Sequence, residues 1–218
     1  MKDLLRIHEI FSSIQGEGLF LGAPSTFIRL TGCNLRCSWC DTKFAFEGGL
    51  EMSVEKIRVE TRHVVITGGE PLLQDIGFLV ARLEKNFVTV ETNATIFSDL
   101  EVDLWSLSPK LGSSGQRGDP AIADAFLFRH PGRLQLKFVV ADKEDLDAIK
   151  EYLSSLKNLE EGKVPILLQP EGSGEIHEKL GKLRDLAETV CADPFFAKID
   201  VRVLPQLHQL LWPDERGK

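Results

Sequence analysis

Three of the chain's four cysteines fall within eight residues, as Cys33-Asn-Leu-Arg-Cys37-Ser-Trp-Cys40. The spacing C-x3-C-x2-C lets three thiolates converge on one inorganic centre from a single loop. A structural zinc site takes four protein ligands, and an ordinary iron-sulfur electron carrier takes four cysteines. Two readings stay open on the residues alone. One is a 4Fe-4S cluster with one iron left without a protein ligand; the other is a zinc knob completed by Asp41 or by a distant histidine such as His63. Cys191 ends a helical pattern among apolar neighbours, the setting of a buried inert thiol.

Other residues suited to chemistry are spread along the chain. Gly68-Gly69-Glu70-Pro71 combines exposed backbone with a carboxylate, although the same letters also spell a strand-to-helix turn with proline at the first helical position. Gln15 and Gly16 could offer donors and acceptors to the edge of a planar heterocycle, or form a tight turn. Arg29 sits in an otherwise apolar run, where an unpaired guanidinium is costly to bury. It suits a bidentate grip on a substrate carboxylate, or an ion pair with Glu17 or Asp41.

These residues need elements to position them. Apolar, β-rich runs at Ser25 to Thr31, His63 to Thr67, Phe87 to Thr92, Leu104 to Leu107, Leu134 to Ala141, Val164 to Leu168 and Ile199 to Leu204 predict buried strands. Helical periodicity marks Val54 to Glu60, Leu72 to Lys85, Lys143 to Leu156 and Ile176 to Val190. Strand and helix largely alternate, which requires right-handed crossovers and an α/β fold with a mostly parallel sheet, open or curled toward a barrel. Ligands of such sheets lie at the C-terminal strand ends. The cysteine loop, Gly68-Gly69-Glu70, Thr92-Asn93, Ser108-Pro109-Lys110 and Gln169-Pro170 each follow a strand. They predict one shared site.

The 218 residues carry 43% hydrophobic and 27% charged side chains, which excludes a disordered chain. A formal charge of -7 argues against a nucleic-acid partner gripped by its phosphates. No linker or repeat divides the sequence, so one domain over residues 1 to 218 is expected. No run reaches the ~20 apolar residues of a membrane span, and Met1 to Gly16 lacks the pattern of a signal peptide. A cytoplasmic protein without membrane contact is expected.

The cysteine loop, with an aromatic residue before its last cysteine, and the Gly-Gly-Glu turn resemble the radical S-adenosylmethionine (SAM) superfamily. Ile10-Phe-Ser-Ser-Ile-Gln-Gly-Glu-Gly18, Cys40-Asp41-Thr42, Glu91-Thr92-Asn93, Ser108-Pro109-Lys110 and Arg202-Val-Leu-Pro-Gln-Leu-His208 are similar to the 7-carboxy-7-deazaguanine synthase family. That resemblance implies a partial TIM-like barrel, a 4Fe-4S cluster on Cys33, Cys37 and Cys40, and SAM chelated to the open iron. It implies a magnesium ion on Thr42, and contacts to a small-molecule pterin from Ile14, Gln15, Gly16, Glu17, Arg29 and Thr92. SAM would be met by Trp39, Cys40, Asp41, Gly68, Gly69, Glu70, Ala94, Ser108, Pro109, Lys110, Gln169, Pro170, Glu171 and Gly172.

The implied reaction is the ring contraction of 6-carboxy-5,6,7,8-tetrahydropterin with loss of ammonia. It starts from hydrogen abstraction at C6 and ends with SAM regenerated, on the route to queuosine and related 7-deazapurines. An electron donor of the flavodoxin or ferredoxin type and a homodimer are also implied. Some members of the family touch substrate with a C-terminal carboxylate. Here Trp212 to Lys218 runs past the last motif, and that contact is not carried over to this chain. His208 reads as a surface or satisfied core histidine at least as readily as a catalytic one.

Overall fold

A computed structural model describes residues 3–160, 162–213 and 215–218. Nine strands form one sheet: β1 (Leu4–Ile14), β2 (Pro24–Leu30), β3 (Leu50–Ser53), β4 (His63–Gly68), β5 (Phe87–Thr92), β6 (Leu104–Leu107), β7 (Leu134–Val140), β8 (Ile166–Pro170) and β9 (Val201–Val203). Their order is β3-β1-β2-β4-β5-β6-β7-β8-β9, with β3 and β9 at open edges. From β2 through β4 to β9 every pairing is parallel, while β1 and β3 add an antiparallel flank. The helices are α1 (Gly77–Arg82), α2 (Pro120–Arg129), α3 (Lys143–Ser155), α4 (Ile176–Ala192) and α5 (Leu207–Leu211).

The apolar runs become parallel strands because helices cover their outer face, so that almost every residue is buried. β7 is buried at all seven positions and β8 at all five. One core runs from Leu5 and Ile7 in β1, through Val64, Val90, Trp105 and Phe138, to Leu186 in α4. The two longest helices start from caps readable in the sequence: Asp142 accepts from the amide of Asp145, and Glu175 and Glu178 form a reciprocal capping box.

Two helix expectations need correction. Val54 to Glu60 supplies only a 3-10 turn over Val54–Lys56, because the carbonyls of Glu55 and Ile57 accept from arginine side chains, Arg58 and Arg82, instead of amides one turn on. Leu72 to Lys85 holds a 3-10 turn at Pro71–Leu73, a break, and then the short α1. Gln74 causes the break: its side chain bonds the backbone of Arg6 and Thr31, pinning its own backbone in an extended conformation. β1, β3, α2 and α5 were not anticipated from the apolar pattern. No helix among the described residues is long and apolar enough to cross a membrane.

Candidate active site

The C-terminal ends of the parallel strands open into a cavity of about 840 Å³. Cys33, Cys37 and Cys40 all face it, and none is in a disulfide. The loop bearing them is tied down by its backbone: the amide of Ser38 donates to the carbonyl of Ser114 at 2.9 Å and the amide of Gly32 to Ala45 at 2.9 Å. Burial pushes the thiols of Cys33 and Cys37 above their ordinary value; Glu70 and Cys40 push Cys33 the same way, and Cys40 and Cys33 push Cys37. Metal binding reverses that cost by replacing the proton.

Gly68 and Gly69 stand at the tip of β4 because the backbone of Leu30 in β2 and the cysteine loop, respectively, leave no room for a side chain. A β-carbon on Gly69 would lie 2.0 Å from the carbonyl oxygen of Gly32 and 2.8 Å from Cβ of Cys33. Gly68 also holds a φ of +142°, which side chains rarely adopt. The amide of Leu35 donates to Cys33 Sγ at 3.4 Å, a contact of the kind that tunes cluster sulfurs. Among the described residues no three His, Cys, Asp or Glu side chains close on a single-ion position. His63 is spoken for: its ring nitrogens lie 2.7 Å from Ser25 Oγ and 2.8 Å from Thr89 Oγ1, at the opposite end of β4. The donor set and its support fit a three-cysteine cluster and leave the zinc knob without its distant histidine.

Of the expected site residues, Ile14, Gln15, Gly16, Glu17, Arg29, Trp39, Asp41, Thr42, Gly68, Gly69, Thr92, Ser108, Lys110, Gln169, Glu171 and Gly172 line the same cavity as the cysteines. Glu70, Ala94, Pro109 and Pro170 do not line it. Glu70 is fully buried behind the wall, where its carboxylate accepts from the amides of Leu72 and Asn93 and from Thr92 Oγ1, at 2.7–3.0 Å. Burial raises its pKa, with those bonds opposing. Its visible work is to fix the Thr92-Asn93 corner. Ala94 follows in that corner at φ +58° with 1% exposure.

Arg29 has a partner, but neither of the expected ones. Its Nε donates to Glu9 Oε1 at 2.7 Å, its neighbour across the β1–β2 ladder. The guanidinium carbon lies 5.6 Å from the ring centres of both Phe11 and Phe44. Thr42 precedes a 3-10 turn yet makes no capping bond with its side chain; Oγ1 lies 3.5 Å from Cys40 Sγ. Lys110 Nζ donates to Ser108 Oγ at 2.8 Å and lies 5.8 Å from the Trp39 ring. Burial lowers the Lys110 pKa, while Cys37, Glu17 and Cys40 favour its charge. Trp39 Nε1 is buried without a partner among the described residues.

The other half of the cavity is built around Glu17. Its carboxylate accepts from Lys137 Nζ, from Gln169 Nε2 at 2.9 Å and from Gln206 Nε2 at 2.7 Å. Lys137 also lies 3.9 Å from Glu91, which accepts from Gln15 Nε2 and Thr67 Oγ1. Burial alone would raise Glu17, yet the Lys137 charge, with His208 and Gln206, holds it well below the carboxylate range; Lys137 is raised in turn by Glu17 and Glu91 against its own burial. Lys137 was missed, although a lysine inside the apolar run Leu134 to Ala141 carries the same signal that singled out Arg29.

His208 on α5 also reaches the cavity. It fills the space that a β-carbon on Gly16 would take, 2.2 Å from its Nδ1, and Nε2 lies 3.8 Å from Asp41 Oδ2. The tail beyond it turns back as well. Trp212, Glu215, Arg216 and Lys218 line the cavity, while Asp214 lies outside the described residues. The tail past the last motif, whose place the sequence left open, therefore forms part of the cavity wall.

A match to the Radical SAM superfamily covers residues 27–107, from β2 to the end of β6. The 7-carboxy-7-deazaguanine synthase of Halobacterium salinarum is 36% identical across 96% of this chain and 91% of its own length. The chain belongs to the 7-carboxy-7-deazaguanine synthase family. Its relative of the same name in Bacillus subtilis is 32% identical over 96% of both chains. The crystal structure of QueE from Escherichia coli superposes with a TM-score of 0.71 at 29% identity, covering 94% of this chain and 95% of that one. The mostly parallel, unclosed sheet is the family's partial barrel. Membership also brings the 4Fe-4S cluster and SAM of radical SAM enzymes, for which the three-cysteine loop is the fitting donor set.

Proposed function

We infer that the chain is a radical SAM lyase that contracts 6-carboxy-5,6,7,8-tetrahydropterin to 7-carboxy-7-deazaguanine with loss of ammonia, a step of queuosine biosynthesis. The observation that carries this reading is that the three-cysteine loop and the Gln15-Gly16-Glu17 turn face one another across a single cavity. When bound at Cys33, Cys37 and Cys40, the cluster supplies one electron to SAM and so the 5'-deoxyadenosyl radical that starts the reaction.

The protein's own work is orientation and shielding. Glu17, held ionised by Lys137, Gln169 and Gln206, presents a fixed acceptor to the pterin, with Gln15, Gly16, Ile14 and Thr92 around it. Arg29 spends only Nε on Glu9, which leaves its terminal nitrogens for the substrate carboxylate. Lys110 and Ser108, beside Trp39 and the cysteines, would meet the SAM carboxylate, and Asp41, Gly68, Gly69, Gln169, Glu171 and Gly172 would complete that wall. Glu70, Ala94, Pro109 and Pro170 support it from behind. Thr42, with its hydroxyl uncommitted to a helix cap, would hold magnesium together with substrate oxygens and water, since this ion tolerates few protein ligands.

The family origin supports a homodimer. The exposed Arg36, Lys43 and Arg117 around the cysteine loop suit an acidic flavodoxin or ferredoxin as the reductant. The continuous core supports one domain, and a cytoplasmic location suits an oxygen-sensitive cluster. The deciding experiment is an anaerobic assay of reconstituted protein with dithionite, SAM, magnesium and the pterin, followed by mass spectrometry. Formation of 7-carboxy-7-deazaguanine without stoichiometric loss of SAM is expected. Release of 5'-deoxyadenosine with no deazaguanine would keep the superfamily chemistry and sink the substrate.

A further inference from the structure

We propose that Arg216, in the C-terminal tail, is a specificity-determining residue that grips the substrate carboxylate together with Arg29. The proposal rests on the reading of the pterin as substrate. Arg216 places its guanidinium carbon 4.3 Å from the centre of the Phe44 ring, the same ring that Arg29 approaches at 5.6 Å. Both arginines line the cavity. Gly217, at φ +69°, carries the chain past Phe11, the second ring under Arg29.

Two guanidiniums therefore approach one phenyl ring in the cavity wall. Their charges are not equally balanced. Arg29 is paired through Nε with Glu9, whereas Arg216 makes no ion pair and no hydrogen bond among the described residues. A guanidinium stacked over a ring keeps its in-plane N–H groups directed outward, and it meets a carboxylate with two parallel bonds. Phe11, stacked on Phe27 at 5.0 Å, and Phe44 offer no acceptor of their own, and the carboxylates nearest Arg29 are its partner Glu9 and Asp41. A ligand with a carboxylate at this end satisfies the donors that Arg29 and Arg216 leave free. A ligand lacking it leaves them unmatched.

The test compares binding of 7-carboxy-7-deazaguanine and of 7-deazaguanine, by calorimetry, to reconstituted protein with SAM and magnesium. Wild type should favour the carboxylated ligand. Arg216→Ala should weaken that ligand about tenfold, the loss expected for one charge-assisted contact, and leave 7-deazaguanine unchanged. Arg216→Lys should recover part of the loss, as a point charge without the bidentate fork. An equal loss for both ligands would assign Arg216 to packing the tail on Phe44, and no loss for either would make it a bystander; both overturn the proposal. If wild type itself fails to distinguish the ligands, or binds neither, the reading of the substrate falls first and this inference with it.

Discussion

At the scale of single residues, the cavity depends on a few buried groups that have no tolerable substitute. Glu17 and Lys137 are 12% and 6% exposed in their side chains, and removing one partner of a buried pair leaves the other charge uncompensated. Glu17→Gln should destabilise the fold by about 3 kcal/mol, the low end of the usual range because Glu91 remains 3.9 Å from Lys137. Lys137→Met should cost more, because Glu17 keeps only neutral donors. The double variant should regain stability over Lys137→Met in urea denaturation. The pH dependence has a definite sign. A carboxyl held below its ordinary value of 4.5 contributes stability above that pH and loses it as acid protonates the folded form. Lys137, raised above 10.5, contributes below that pH and loses its share only in stronger base. The share of stability supplied by this pair should be level between about pH 6 and 9 and fall below about pH 4.5, with a shallower acid limb in Glu17→Gln. Gly69→Ala addresses the other half of the site. Its β-carbon collides with Gly32 and Cys33, so the loop must move, and iron and sulfide content after reconstitution should drop severalfold while far-UV circular dichroism stays near wild type.

At the scale of elements, the C-terminal helix α5 is a wall of the site held by short contacts. The amide of Leu207 donates to the Gly16 carbonyl at 2.9 Å, and Lys179 from α4 donates to the Gln209 carbonyl at 3.2 Å. Gly16→Ala would displace His208 and lift α5 from the Gln15-Gly16-Glu17 turn. It should weaken pterin binding and expose the segment after Leu204 to limited proteolysis, with iron content preserved; an unchanged digestion pattern would show that α5 docks independently of Gly16. The elements also explain what the sequence could reveal. Phe87–Thr92 and Leu104–Leu107 matched their predicted bounds because short runs rich in β-branched and aromatic residues mark strands of a buried sheet. β1 alternates buried and exposed residues only at its start, and its serines and half-buried positions conceal the rest. α2 was hidden because its apolar side chains are not confined to one face, with Phe128 76% exposed. The site was legible where a motif concentrated unusual residues in one loop. It was illegible where single polar residues, Lys137, Gln206 and Arg216, arrive from distant elements, since their convergence exists only in the folded sheet.

At the scale of the whole molecule, the cavity is walled by residues from Phe11 to Lys218, so the reaction space forms only when both ends of the chain are in place. The sheet supplies the continuity. β1 pairs with β2 and β3, β2 joins the parallel strands through β4, and apolar side chains from Leu5 to Phe196 form one core. We propose that an architecture of this kind unfolds as one domain, with no internal boundary at which one part opens while the other persists. Trp105 offers a probe, because it is fully buried in β6 at the middle of the sheet, whereas Trp39 and Trp212 line the cavity. In a Trp39→Phe/Trp212→Phe variant, urea unfolding followed by Trp105 fluorescence should superimpose on the transition seen by far-UV circular dichroism, with one midpoint. Bound cluster should move that midpoint upward in both signals together, since it binds only where the folded sheet brings the loop into shape. An earlier circular-dichroism phase with Trp105 still native would instead show that the antiparallel flank β3-β1 or the segment after β8 opens as a separate unit. The cavity would then be assembled from two parts, and its closure would depend on their docking.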